Sequence, residues 1–189
     1  TMEDAFRKVA SNKGSAGVDG MTCEELMPYF HKHWQEIREA LLGRTYRPTP
    51  VRRVEIPKDN GKTRSLGIPT VIDRGVQQAV ATVLSWIYEP MFSDSSFGFR
   101  PGRSAHDALR RCLQYADDGY EWVVDMDLEK YFDTVPQSKL LEMVSQTVKD
   151  GRVISLLYKF MKAGVVMPDG VVIGSEQGIP QGGPLSPIL

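Results

Sequence analysis

Val123-Val124-Asp125-Met126-Asp127-Leu128 is the stretch whose reading decides the fold. In a strand, alternation puts Val124, Met126 and Leu128 on one face and Val123, Asp125 and Asp127 on the other. At roughly 3.3 Å per residue, the two carboxylates share a face about 7 Å apart. The flanking valines suit a central strand, where unpaired buried carboxylates are costly. A divalent cation would relieve that cost. So would a strand end at which Asp127 meets solvent or an arginine, and this segment alone leaves both readings open.

Working outward, residues 3–13 read as a short helix, followed by a glycine-rich loop from Asn12 to Gly20. Thr22 with Glu25 forms a capping box for a second helix, whose apolar stripe of Leu26, Phe30, Trp34, Ile37 and Leu41 ends at Gly43. Val51–Pro57 and Thr63–Pro69 read as two strands joined around Asn60-Gly61, a strong hairpin signal. Helices are expected from about Thr70 to Tyr88 and from Ser104 with Asp107, the latter carrying Leu109, Cys112 and Leu113. Trp122–Leu128 is expected to be a strand. Pro136 begins two further helices that end near Gly164, and a second hairpin turns around Asp169-Gly170. This order favours α+β with antiparallel pairing over a doubly wound parallel sheet.

Charge is distributed unevenly although the net value is only −1. Arg44 to Arg74 holds eight basic residues against three acidic ones, whereas Tyr115 to Asp133 holds seven acidic residues against Lys130. A basic surface that tracks phosphates beside an acidic focus for divalent metal suits a polymerase, and solvated charge runs are the plainer alternative. No apolar run approaches the roughly 18 residues of a membrane span. Cys23 and Cys112 are too few and too scattered for a disulfide framework or a zinc site, which fits a cytoplasmic, reducing setting.

The run Val124-Asp125-Met126-Asp127-Leu128-Glu129-Lys130-Tyr131-Phe132-Asp133-Thr134-Val135 resembles the first catalytic-carboxylate motif of group II intron reverse transcriptases. Four more blocks resemble that family in its order: Asn12–Thr22 its N-terminal loop, and Ile56–Lys58 with Arg64–Thr70 its fingers hairpin. Phe97–His106 is similar to its next block, and Gly178–Pro187 to the loop before its Tyr-Ala-Asp-Asp hairpin. The resemblance implies an α+β right-hand polymerase, fingers plus partial palm with an antiparallel sheet. Residues 1–96 and 136–177 would be fingers, and 97–135 and 178–189 palm. Tyr115-Ala116-Asp117-Asp118 spells the polymerase signature but precedes Asp127 and sits at a helix end, so it is expected to be a coincidental copy.

Residue by residue, the resemblance implies that Asp127 is catalytic and ligates two Mg²⁺ ions, helped by the Leu128 carbonyl. Lys58 and Arg64 would close over the triphosphate, and Gln181 and Gly182 would pack on the incoming nucleotide. Phe132 would stand under the deoxyribose, its alternative being an ordinary core aromatic. Lys13, Arg100 and Arg103 would contact template or RNA, with a structural salt bridge the rival for the two arginines. Group II intron RNA, an RNA template, a DNA primer and deoxynucleoside triphosphates are the implied partners, with a homodimer as one form of assembly and no membrane. Ser186-Pro187 reads as a helix N-cap followed by proline at the first helical position, with only Ile188 and Leu189 after it. The chain is therefore expected to stop before its catalytic site is complete and to be inactive by itself. A non-catalytic maturase-like RNA-binding module, or a retron, diversity-generating or CRISPR-linked reverse transcriptase, remain the rivals. A metal-dependent nuclease would need a second acidic cluster.

Overall fold

The computed structural model describes residues 1–57, 61 and 63–189. Helix α1 (Met2–Ser11) opens on Thr1, whose hydroxyl accepts from the Asp4 N–H at 3.2 Å. Helix α2 (Cys23–Leu42) opens where Thr22 donates its N–H to the Glu25 carboxylate at 2.8 Å, and it ends at Gly43. Strands β1 (Val51–Pro57) and β2 (Thr63–Ile68) form the expected antiparallel hairpin, with Arg52 opposite Ile68 and Pro57 opposite Thr63. Gly61 holds φ +75°, while Asn60 of the expected turn lies outside the described residues.

Helix α3 (Val71–Tyr88) is followed by α4 (Ala105–Asp117), α5 (Tyr131–Thr134), α6 (Gln137–Thr147) and α7 (Gly151–Lys162). Strands β3 (Val165–Val166) and β4 (Val172–Ile173) are the second hairpin, and a 3₁₀ turn spans Ser186–Ile188. The sheet runs β2-β1-β3-β4, and β3 lies parallel to β1, Val51 opposite Val165. It is thus mixed rather than wholly antiparallel: each hairpin pairs antiparallel, and the long helical crossover between them returns the chain in the direction of β1. The core gathers Phe6, Leu26 and Phe30 with Val71, Val76 and Leu84 of α3 and Leu157 and Met161 of α7. Phe6 lies flat against Gly75, where a Cβ would come within 2.6 Å of its ring.

Two further expectations are corrected. Trp122–Leu128 forms no strand, because among the described residues no neighbour lies beside it to pair its backbone or cover a face. Val124, Met126 and Val123 are all more than three-quarters exposed, so alternation sorts nothing there. Ser186 does not act as an N-cap; it lies inside the 3₁₀ turn and donates its hydroxyl to the Pro180 carbonyl at 2.6 Å. Tyr115-Ala116-Asp117 is helical, as expected for a coincidental signature.

Asp73, buried in the first turn of α3, ties the approach to β1 onto that helix. Its carboxylate accepts from the Tyr46 hydroxyl at 2.7 Å, the Thr49 N–H at 2.9 Å and the Thr70 hydroxyl at 2.9 Å. Burial pushes the carboxyl above the usual aspartate range, against the pull of those donors. Asp73→Ala should cost on the order of 3 kcal/mol, since it orphans buried donors. The proton-linked part of the wild-type advantage should be full below the ordinary value of 3.8 and be lost as pH rises through the raised one. Chemical denaturation of both proteins at several pH values checks the size and the sign.

Candidate functional site

The loop Gly178–Gly183 joins two parts of the chain that sequence separates widely. At one end the Ile179 N–H donates to the Phe132 carbonyl at 2.6 Å, and the Gly178 N–H to the Val135 carbonyl at 2.8 Å. At the other, the Gly67 N–H of β2 donates to the Gln181 carbonyl at 2.7 Å, and Arg64 Nε donates to Gln181 Oε1 at 3.0 Å. Both fastenings need backbone to meet backbone. A Cβ on Gly178 would lie 2.6 Å from the Phe132 oxygen, and one on Gly182 the same distance from the Gly67 oxygen. Gly178 and Gly182 also hold φ of +80° and +120°, which glycine alone adopts without strain.

Arg64, Gln181, Gly182 and the Phe132 segment are thereby brought together. Arg64 is exposed, so its charge faces solvent while its Nε is held in place by Gln181. Phe132 is half-buried, packed on the core and edge-on to Tyr131 at 5.4 Å between ring centroids. Lys130, at φ +49°, turns the chain sharply out of the Asp125–Asp127 run into α5. Asp125 and Asp127 are exposed. Among the described residues no group of three or more His, Cys, Asp or Glu side chains stands close enough to share a metal ion. A carboxylate and the adjacent Leu128 carbonyl are hard oxygen donors of the kind Mg²⁺ takes, but alone they supply only part of a coordination shell.

Lys58 lies outside the described residues. Lys13, Arg100 and Arg103 are not among the residues that the loop brings together. Lys13 is exposed at the end of α1, in the left-handed conformation at φ +48°. Arg100 is nearly buried, paired with Glu89 at 2.8 Å and donating to the carbonyls of Ser93 and Ser96. Arg103 pairs with Asp94 at 3.0 Å. Both arginines thus adopt the salt-bridged arrangement, each lying over a phenylalanine ring, Phe92 and Phe97.

Sequence reasoning passed over the residues that hold the loop. Gln137, buried at the start of α6, donates its amide to the Gly178 carbonyl at 2.9 Å. Arg52 and Arg74 donate to the carbonyls of Ala16 and Ser15, strapping the N-terminal loop over Pro69-Thr70. Nothing local distinguishes these side chains from surface polar residues; only Pro136, marking a helix start, hinted that Gln137 sits in a first turn.

Gly182→Ala should cost on the order of 2 kcal/mol, because a Cβ must either strain the backbone or push the loop off Gly67. Denaturant unfolding measures it, with Gly98→Ala, where a Cβ meets open space, as the neutral control.

Among known proteins, residues 56–189 match the model of the family described as reverse transcriptase (RNA-dependent DNA polymerase). Over its whole length the chain is 42% identical to Protein YkfC of Escherichia coli, of which it covers 51%. It is 39% identical over 98% of its length to the group II intron-encoded protein LtrA of Lactococcus lactis, covering 31% of that protein. The chain thus spans about half or less of the curated relatives it matches. A solved structure, a partial Cas6-RT-Cas1–Cas2 complex, shares the fold over 99% of this chain with a TM-score of 0.56 at 18% identity. An all-but-complete match in sequence, a family model over most of the chain and a shared α+β fold agree: the chain belongs to the reverse transcriptase family, and it is similar throughout to its group II intron-encoded members.

Proposed function

We propose that the protein is an RNA-directed DNA polymerase of the group II intron type, which copies RNA into DNA and binds intron RNA to assist splicing. The observation that carries this reading is the doubly fastened loop, which sets Arg64, Gln181 and Gly182 beside the segment holding Phe132 and leading back to Asp127. On this reading residues 1–96 and 136–177 are fingers, and 97–135 and 178–189 belong to the palm. Arg64, its guanidinium held by Gln181, lies where it would meet the triphosphate of a deoxynucleotide. Gln181 and Gly182 offer a close backbone surface to the nucleotide. Phe132, kept from turning by Tyr131 and the core, walls off a 2′-hydroxyl. Asp127 and the Leu128 carbonyl would hold part of the shell of two Mg²⁺ ions, whose charge, when bound, would favour ionisation of the primer 3′-hydroxyl and offset that of the leaving pyrophosphate. RNA template, DNA primer and deoxynucleoside triphosphates are the substrates, in a cytoplasmic setting.

In the full-length protein, Asp127→Asn should reduce primer extension to background while leaving RNA affinity nearly unchanged, because affinity rests on cations spread over the surface. Extension at the wild-type rate would remove Asp127 from the site. Asp117→Ala combined with Asp118→Ala should extend normally, since that signature is helical.

Sugar selection is a separate readout. Phe132→Val should raise ribonucleotide incorporation in single-nucleotide extension, and unchanged discrimination would return Phe132 to a purely structural role.

A further inference from the structure

Gly183 is a glycine for a different reason from Gly178 and Gly182. Those two hold positive φ and close against backbone carbonyls, whereas Gly183 holds no positive φ. A Cβ there would meet a single side chain. It would run into Oε1 of Gln77, with Cδ and Nε2 of the same residue next nearest at 3.2 and 3.5 Å. The missing side chain at 183 is therefore matched to the one present at 77, and the backbone by itself would accept alanine.

Gln77 stands in the second turn of α3, one turn beyond Asp73 and on the same face. The turn before it is fixed by the Asp73 carboxylate, which holds Tyr46 and Thr49 against the helix. Gln77 is only 7% exposed, and with Thr49, Val51, Pro69 and Ile179 it walls a cavity of about 20 Å³ beneath the Gly178–Gly183 loop. Core filling explains the volume of this side chain but not its amide, since an apolar residue fills such a site at lower desolvation cost. The amide oxygen lies where a Cβ of residue 183 would stand, so it faces the Cα–H of Gly183, a weak polar contact. The peptide plane between residues 182 and 183 is thus held at both ends, by Gly67 at one Cα and by Gln77 at the other.

We propose that Gln77 is a positioning residue for the incoming deoxynucleotide, acting through Gly183 to set the Gly182 backbone surface on which that nucleotide packs. The inference rests on the polymerase reading for the identity of the ligand, not for the contact between Gln77 and Gly183. Gln77 lies beneath the loop, so its effect falls on nucleotide affinity and not on the hold on primer and template.

The test is single-nucleotide primer extension by the full-length protein, with KM for the deoxynucleotide and for the primer–template measured separately. Gly183→Ala should raise the deoxynucleotide KM about tenfold and leave the primer–template KM within about twofold, because it displaces one surface only. Gln77→Ala should raise the same KM about threefold. In the Gln77→Ala background, Gly183→Ala should cost nothing further, since the atoms it would strike are gone. General destabilisation would instead lower kcat and leave both KM values in place. Gln78, whose amide donates to the Thr82 hydroxyl at 3.3 Å, is the control, and Gln78→Ala should match the wild type. Losses that simply multiply in the double variant, or an unchanged deoxynucleotide KM in Gly183→Ala, would overturn the proposal.

Amide hydrogen exchange separates the contact from the chemistry. The Gly67 N–H, which donates to the Gln181 carbonyl, should exchange about tenfold faster in Gly183→Ala, and in the double variant at the Gln77→Ala rate. That pattern with an unmoved deoxynucleotide KM would make Gln77 structural and overturn its positioning role. A wild-type protein that extends no primer would overturn the polymerase reading and the nucleotide role with it, while the exchange rates would still establish or refute the contact.

Discussion

Two backbone contacts, the Ile179 N–H to the Phe132 carbonyl and the Gly67 N–H to the Gln181 carbonyl, hold together what the chain keeps far apart. Each is a main-chain bond in a partly buried seam, where an unpaired group would be costly. Because both ends of the loop are fixed, the Arg64 and Gln181 side chains meet across 117 residues of sequence, and the hairpin is held against the segment that follows Asp127. The glycines at 178 and 182 make this approach possible, since a Cβ at either would collide with a carbonyl oxygen. Gln137 completes the arrangement from beneath by spending its amide on the Gly178 carbonyl. On the proposed reading a nucleotide would meet the Arg64 charge, the Phe132 ring and the Gly182 backbone together, and one loop brings those three near one another.

Electrostatics follows the same division. A net charge of −1 conceals a basic block around the hairpin, but the tertiary structure sorts its members by task. Arg52 and Arg74 are committed to carbonyls of the N-terminal loop, and Arg53 to Glu55 and Ser65. Arg64 stays exposed beside Gln181, and Arg44 and Arg47 turn toward α7. Composition cannot make that distinction, because a guanidinium that closes a loop and one that meets a phosphate are the same side chain in different surroundings.

Much of the fold was legible locally. Thr22 with Glu25, Ser104 with Asp107, Gly43 and the Asn60-Gly61 dipeptide mark element boundaries through interactions within a few residues, and those boundaries hold wherever the structure describes them. Trp122–Leu128 was read as a strand and forms none, since alternation creates a face but cannot provide the neighbouring backbone that pairs with it. Arg100 and Arg103 looked equally suited to a template or to a salt bridge until Glu89 and Asp94 were seen beside them.

What the sequence determined by itself was therefore most of the element order, the caps at Thr22 and Ser104, and the family motifs around Asp127 and Gln181, all of which depend on chemistry between near neighbours. Tertiary structure alone decided the parallel seam between β1 and β3, the burial of Asp73 and Gln137, and the meeting of Arg64 with Gln181. Each of these depends on groups distant in sequence sharing a low-dielectric seam, where a partner's presence or absence changes the energy by more than any local propensity does.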